Sequence, residues 1–257
     1  MTVLSVNLNK IAVLRNSREG HRPNVTAAAR VVISAGVKGI TVHPRPDQRH
    51  IRPADVYELK ALLTEDYPHV EFNIEGNPDA PPNSDGYPGF DALIESARPT
   101  QATLVPDGDD QLTSDHGWDL SKRHEPLIEK TRLYQSYGAR VSLFMDPVVE
   151  QIDAAKAHGA DRVELYTGPL AEIIWARGVD DNEAQACLAT YARAARHAHD
   201  IGLGVNAGHD LDLGNLSVFC QQVEVEEVSI GHALIADALD RGLYESVRAY
   251  LALLPRD

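Results

Sequence analysis

The sequence predicts an α/β protein, a (β/α)8 TIM barrel, and two observations support this prediction. Short runs rich in β-branched residues alternate with longer segments of helical periodicity, and the alternation repeats eight times along the chain. The length of 257 residues also suits such a barrel, which commonly has about 250. We therefore expect one domain, spanning residues 1–257, in which helices surround a parallel barrel.

The predicted strands are short and mostly apolar between Gly, Pro and polar clusters. They cover residues 4–7, 39–42, 70–74, 102–105, 141–144, 162–165, 204–206 and 227–230. The predicted helices cover residues 24–35, 54–63, 90–97, 125–137, 148–158, 182–201, 212–222 and 233–252. Asn24 is a suitable N-cap for the first helix, and glycines follow several helix ends, at Gly36, Gly138, Gly159 and Gly202.

Two connections are longer than a barrel requires. Residues 76–89 are rich in Pro and Gly, and residues 106–124 are rich in Asp. Both segments follow strands, so we expect both to lie over the C-terminal mouth, where barrel enzymes place substrate-binding loops and lids.

Composition favours a soluble cytoplasmic protein that binds neither nucleic acid nor membranes. The net charge of -14 opposes binding to polyanions, and no apolar run approaches the roughly 20 residues that span a bilayer. Two cysteines without CxxC spacing and the absence of a visible secretory signal favour a reducing compartment. An anionic substrate would need a locally basic pocket.

The segment 39–50 carries the clearest chemical signal. A short apolar strand is followed at once by His43-Pro44-Arg45-Pro46, where the prolines restrict the backbone. Arginine offers a planar fork for phosphate or carboxylate, and histidine can transfer a proton near neutral pH. The segment therefore indicates an anionic substrate and proton transfer.

Polar or ionisable groups follow six of the eight predicted strands, and in a barrel these strand ends share one mouth. Glu75 ends an apolar strand before a glycine, which favours a partly buried base. Glu164 is either an interior carboxyl that needs a partner or an outward surface group. Gly208-His209 and Gly231-His232 precede predicted helices, so their N–H groups could bind phosphate. The remaining histidines are assigned to the surface, at His69, His158, His197 and His199.

Four stretches resemble the pyridoxine 5′-phosphate synthase family. They are Val6-Asn7 with residues 11–16, residues 39–51 with the pattern His-x-Arg-x-Asp-x-Arg-His, residues 205–209, and Ile230-Gly231-His232-Ala233. The resemblance extends from Val3 to about Leu239. It implies a (β/α)8 enzyme, a homo-oligomer and specifically an octamer, that condenses 1-deoxy-D-xylulose 5-phosphate with 3-amino-2-oxopropyl phosphate. Phosphate and water are released, without a metal or organic cofactor.

The resemblance also implies roles for individual residues. His43 and Glu75 would be proton acceptors, and His209 would be the proton donor. Glu164 would stabilise the charged transition state. The deoxyxylulose phosphate would be held by Arg45, His50 and Thr113. The aminooxopropyl phosphate would be held by Asn7, Arg18, Gly231 and His232.

The chain departs from the family pattern in three places. Asn9-Lys10 replaces the usual Asp-His, and Lys10 is assigned to the substrate site as a substitute cation. Asp210 replaces a usual Gly and is assigned to the same site, close to a phosphate. The 76–89 loop is longer than usual. None of these changes removes a proton-transfer residue.

Three other functions are compatible with the same residues. The carboxyls and imidazoles could instead ligate a divalent ion in a sugar-phosphate epimerase or isomerase, although neither HxH nor HExxH spacing occurs. Lys10 could form a Schiff base in an aldolase. The third alternative is a non-catalytic barrel that binds a phosphorylated ligand.

Overall fold

The fold is an eight-stranded parallel barrel surrounded by helices, seen in a computed structural model that describes residues 1–108 and 111–255. The strands are β1 Val3–Asn7, β2 Gly39–Val42, β3 Glu71–Gly76, β4 Gln101–Leu104, β5 Arg140–Met145, β6 Arg162–Tyr166, β7 Gly204–Gly208 and β8 Glu227–Ile230. Each strand pairs with its sequence neighbours, and β1 pairs with β8 to close the barrel. The predicted fold class is confirmed.

Helices cover the outside of the barrel. They are α1 Asn9–Asn16, α2 Val25–Ala35, α3 Pro53–Asp66, α4 Phe90–Ala97, α5 Glu125–Ser136, α6 Val149–Ala157, α7 Gly168–Arg177, α8 Asn182–Asp200, α9 Leu216–Gln222, α10 His232–Arg241 and α11 Leu243–Leu253. The side chain of Asn24 accepts a hydrogen bond from the N–H of Ala27, which confirms the predicted N-cap of α2.

The prediction of the helices was wrong in three places. α1 and α7 were not predicted, because α1 is short and mixed in polarity and α7 begins with Gly168-Pro169, a pair typical of turns. The predicted helix 233–252 is two helices, α10 and α11. They are separated by Gly242, whose φ of +83° a side chain would disfavour.

Polar side chains inside the barrel bond to one another across the strands. The hydroxyls of Ser5 and Thr41 lie 2.7 Å apart, and Oγ1 of Thr103 donates to Oδ1 of Asn73 at 3.1 Å. All four residues are buried. Barrel interiors are usually filled by branched apolar residues. In this barrel, polar side chains instead take part of the interior.

The two long loops pack over the mouth, where the 106–124 loop contacts His209 after β7 and the 76–89 loop contacts the segment after β2. Leu112, Thr113 and Ser114 of the 106–124 loop line the cavity there, while residues 109–110 lie outside the described part of the chain. In the 76–89 loop, Nδ2 of Asn83 donates to the carbonyl of Pro46 at 2.8 Å. The loop positions predicted from the sequence are therefore confirmed.

The surface assignment of His158 was wrong. This side chain is buried, its Nδ1 lies 2.6 Å from the carbonyl oxygen of Ala154, and its Nε2 accepts from the N–H of His124 at 3.0 Å. The contact connects the end of α6 to the residue before α5, a tertiary contact that the sequence pattern does not reveal.

Among the helices of the described residues, none is long and apolar enough to cross a membrane.

Candidate active site

A cavity of about 500 Å³ opens at the C-terminal mouth of the barrel. It brings together twelve of the thirteen predicted site residues: Asn7, Lys10, His43, Arg45, His50, Glu75, Thr113, Glu164, His209, Asp210, Gly231 and His232. Arg18 is the exception, because it lies exposed in the bend after α1 and does not line the cavity. Nearby Arg15 is buried in an ion pair with Asp55, so it is not available to a ligand either.

His43 and Glu75 form the centre of the cavity wall at the ends of β2 and β3. Nδ1 of His43 lies 3.9 Å from Oε2 of Glu75, which also accepts from Nδ2 of Asn7 at 3.2 Å. Burial, with the positive charges of Arg45, His50 and Arg49, holds the pKa of His43 well below its usual value. Burial, with the negative charges of Asp107 and Glu227, raises the pKa of Glu75 to about 8. A neutral imidazole and a weakly acidic carboxyl therefore face the ligand.

Glu164 faces the barrel interior, which settles the alternative left open by its sequence position. Its side chain is 3% exposed, and Oγ1 of Thr103 lies 3.4 Å from its Oε2. Burial, together with the charges of Glu75 and Glu227, raises the pKa of Glu164 well above its ordinary value. Burial therefore favours the protonated form of Glu164 more than that of an ordinary glutamate.

The cationic side of the cavity is built by the segment after β2 and the 106–124 loop. Arg45 is buried in an ion pair with Asp107, and the hydroxyl of Ser114 donates to Oδ2 of Asp107 at 2.7 Å. Nδ1 of His50 accepts from the N–H of Ile51 at 2.9 Å, and burial lowers the pKa of His50 to about 3. His50 is therefore neutral, and its Nε2 is left to donate.

The opposite wall carries His209 after β7 and the first residues of α10. Nε2 of His209 lies 2.8 Å from Oγ1 of Thr113, and its Nδ1 lies 2.6 Å from Oδ2 of Asp210. Gly231 precedes α10 and packs on Asn7, since a Cβ on Gly231 would lie 3.0 Å from Cβ of Asn7. N–H groups in the first turn of a helix have no partner within the helix, so the start of α10 with His232 is a candidate anion site.

Several cavity residues had been given no role from the sequence: Asn9, Val13, Arg49, Thr103, Val105, Leu112, Ser114, Phe144 and Ser229. Thr103 alternates with Ala102 and Leu104, so its inward direction was readable from the two-residue period of a strand. Asn9 is a further omission, because its Oδ1 accepts from the N–H of His43 at 2.9 Å and so fixes the start of that segment. No local signal marks this contact.

The described residues contain no group of three or more His, Cys, Asp or Glu side chains arranged to hold a metal ion. The four residues with predicted catalytic roles, His43, Glu75, Glu164 and His209, line the same cavity. Their arrangement suits proton transfer at separate atoms of one ligand.

Comparison with known proteins places the chain in a family. The profile of the family described as pyridoxal phosphate biosynthesis protein PdxJ matches residues 4–256. The chain belongs to this family. The pyridoxine 5′-phosphate synthase of Xanthomonas campestris pv. campestris (strain B100) is 56% identical over 254 residues, covering 98% of this chain and 96% of the relative. The protein of the same name from Xylella fastidiosa (strain M23) is 54% identical over 257 residues, covering 98% and 95%.

Membership of the PdxJ family confirms the resemblance seen in the sequence and makes the chain an enzyme of vitamin B6 biosynthesis. Two solved structures support the fold alone. One is 3-keto-L-gulonate-6-phosphate decarboxylase from Vibrio cholerae, with a TM-score of 0.60, 10% identity and 99% of each chain covered. The other is phosphoribosylanthranilate isomerase from Thermotoga maritima, with a TM-score of 0.55, 12% identity and 98% of each chain covered.

Proposed function

We propose that this PdxJ-family enzyme condenses 1-deoxy-D-xylulose 5-phosphate with 3-amino-2-oxopropyl phosphate to form pyridoxine 5′-phosphate, inorganic phosphate and water. The observation that carries the proposal is one cavity with two possible phosphate-binding sides and buried acid-base groups between them. Arg45 and His50 form one side, and Gly231 with His232 at the start of α10 forms the other. Two anionic substrates can therefore approach the same acid-base groups from opposite walls.

The reaction requires proton removal at more than one carbon, for which the site offers His43 and Glu75 as acceptors. A neutral imidazole can accept a proton directly. The pKa of about 8 makes Glu75 a stronger base than an ordinary glutamate once it is ionised. The 3.9 Å separation between His43 and Glu75 allows both groups to reach one bound substrate. Each well-placed group contributes roughly 10²–10⁴ in rate.

Glu164 and His209 have complementary roles in this mechanism. A positive charge that develops on the imine between the substrates favours the ionised form of Glu164, so the carboxylate forms where it stabilises that charge. His209 donates a proton from Nε2 to an oxygen that leaves as water. Nε2 of His209 lies 2.8 Å from the Thr113 hydroxyl, and both residues line the cavity.

The phosphates are held by groups of different geometry. Arg45 supplies a planar fork, and its buried pairing with Asp107 keeps the guanidinium in place before the substrate binds. Lys10 adds a positive charge on the α1 side of the cavity. These groups offset the repulsion that a net charge of -14 imposes on two phosphorylated substrates.

One assay tests the proposal directly. Both substrates are mixed with enzyme pretreated with EDTA, and pyridoxine 5′-phosphate is followed by its absorbance. We expect full activity after chelation, because the acid-base groups need no Lewis acid for these steps. Activity that is lost on chelation and restored by zinc or manganese would instead favour the metal-dependent alternative.

Assembly into a homo-oligomer is part of the same proposal. Exposed apolar side chains on outer helices, Leu14 at 51% and Leu239 at 78% exposure, offer contact area between copies. Light scattering of the purified protein tests this point, and a mass of 28.1 kDa in solution would contradict it.

A further inference from the structure

His209 is held at both ring nitrogens. Its Nδ1 lies 2.6 Å from Oδ2 of Asp210, and its Nε2 lies 2.8 Å from Oγ1 of Thr113. An ionised carboxylate can only accept hydrogen bonds, so Nδ1 must carry a proton in this pair. The ring is thereby oriented with Nε2 toward the cavity, where a ligand atom can replace the Thr113 hydroxyl.

The backbone that presents this pair is unusual and is held by tertiary contacts. His209 has φ of +82° and Asp210 has φ of +59°, a region that favours glycine. Oγ1 of Thr167 donates to the carbonyl of Gly208 at 2.7 Å and also to the carbonyl of His209. Nδ2 of Asn215 donates to the carbonyl of Asp210 at 3.0 Å. Two side chains from elsewhere therefore maintain a backbone conformation that residues other than glycine rarely adopt.

Asp210 is negatively charged near neutral pH. The hydrogen bond from His209 lowers the pKa of Asp210, although burial opposes this effect. The positive charges of His209, His232 and Lys10 lower the pKa further. Lys10 and His232 also reduce the repulsion between this carboxylate and a substrate phosphate. These positive charges thus allow the Asp210 carboxylate and a substrate phosphate to lie in the same site.

Other elements bring titratable groups to the same pair. The ring of Tyr166 at the end of β6 lies edge-on to His209, with ring centroids 5.2 Å apart. The charged and titratable groups that act on Asp210 directly, or on Tyr166 beside it, are Lys10, His232, Asp115, Asp146 and Glu172.

We propose that Asp210 is a positioning residue, whose carboxylate accepts a hydrogen bond from Nδ1–H of His209 and so holds the ring with Nε2 facing the substrate. The assignment of His209 as donor rests on the function proposed above. When Nε2 gives its proton to the leaving oxygen, the ring becomes neutral and keeps Nδ1–H bound to Asp210. Asp210 therefore acts through His209, in contrast to the direct substrate contact predicted from the sequence.

The first test measures His209 without any substrate. Hydrogen–deuterium exchange at Cε1 of the histidine ring, followed by mass spectrometry of the peptide, reports its protonation across pH. We expect the midpoint for His209 to fall by about one pH unit in Asp210→Asn and Asp210→Gly, because the carboxylate charge is removed. Glycine suits φ of +59°, so Asp210→Gly also keeps the backbone of the loop.

The matched control is Asp153→Asn. Asp153 makes a His–Asp pair of the same 2.6 Å length with His197, between α6 and α8, and neither residue lines the cavity. This variant should leave the His209 midpoint and the activity unchanged. An unchanged His209 midpoint in both Asp210 variants would overturn the proposal.

The second test is kinetic. In Asp210→Asn we expect kcat to fall about tenfold, the alkaline limb of the rate profile to move about one unit lower, and KM to change less than about twofold. A raised KM with the alkaline limb unmoved would show direct substrate contact and refute a positioning role. If no pyridoxine 5′-phosphate is formed by the unsubstituted enzyme, the proposed function fails, while the exchange measurement still decides the pair.

Discussion

Burial governs the protonation of the acid-base groups at the level of single residues. Glu75 and His43 lie at neighbouring strand ends, and their surroundings shift their pKa values in opposite directions. Both groups are therefore uncharged near pH 7. The site therefore presents a neutral base, His43, and a neutral acid, Glu75, and the two phosphorylated substrates bring negative charge when they bind.

Glu75→Gln should lower kcat by about 10²-fold or more with KM nearly unchanged, because a proton acceptor acts in the transition state and contributes little to binding. With a pKa of about 8, Glu75 becomes ionised as pH rises, so kcat/KM of the unsubstituted enzyme should rise through about pH 8. Steady-state kinetics across pH should show that this limb disappears in the variant.

The matched control for this change is Glu95→Gln on the exposed face of α4, which should behave as the unsubstituted enzyme. His209→Asn is the corresponding test of the donor, and asparagine tolerates the φ of +82° better than most residues. Circular dichroism must first show that the variants are folded. Near-normal kcat in a folded variant would make that residue structural and move its role to His43, Glu164 or Lys10.

Arg45→Lys should raise the KM for the deoxyxylulose substrate about tenfold and change kcat less. Lysine keeps the charge but cannot contact Asp107 and a phosphate through one planar fork. Arg177→Lys, in the exposed pair of Arg177 with Glu183, is the control for an Arg→Lys change outside the site. An unchanged KM in Arg45→Lys would exclude Arg45 as the phosphate ligand.

At the level of elements, the site depends on how closely α10 approaches β1. Gly231 precedes α10 and packs against Asn7, the last residue of β1, so the N-terminus of the helix reaches the cavity. The unpaired N–H groups there and the helix dipole both favour a phosphate. The packing of one glycine therefore determines how closely the start of α10 approaches the cavity.

Gly231→Ala should raise the KM for 3-amino-2-oxopropyl phosphate about tenfold, because the new Cβ would lie 3.0 Å from Cβ and 3.3 Å from Cγ of Asn7. That contact forces Asn7 or the start of α10 to move. Initial-rate kinetics with each substrate varied in turn should show a much smaller change in KM for the deoxyxylulose substrate. Equal changes for both substrates would indicate general disruption of the barrel mouth.

For the whole molecule, a carboxyl buried inside the barrel makes stability depend on pH. Glu227 at the start of β8 is 1% exposed, and its Oε1 accepts from Nδ2 of Asn206 at 3.2 Å. Burial, with the charge of Glu71, raises the pKa of Glu227 to about 7. Because the folded pKa exceeds the usual 4.5, the folded state loses stability as pH rises from about 4.5 to about 7.

Glu227→Gln should therefore stabilise the protein at pH 8, by at most about 3 kcal/mol in the free energy of unfolding, and change little at pH 4.5. The amide keeps the Oε1 acceptor for Asn206 and never ionises. Urea unfolding of both proteins at the two pH values provides the measurement. A variant that is less stable than the unsubstituted protein at pH 8 would show that the ionised carboxylate stabilises the barrel.

The sequence by itself determined the strand order, the β/α alternation and the strand-end residues that line the cavity. These features depend on the spacing of apolar and polar residues along the chain, which can be read from the sequence alone. The break at Gly242 and the helix α7 were missed because local preferences there compete with burial that only the barrel supplies.

The tertiary structure decided which groups touch and how they are charged. Thr113 and His209 are 96 positions apart, and Arg45 and Asp107 are 62 apart, so neither contact has a local signal. Likewise, the direction of Glu164 and the burial of His158 depend on neighbours from other elements. A side chain's pKa follows from its desolvation and nearby charges, and both exist only after distant segments have packed together.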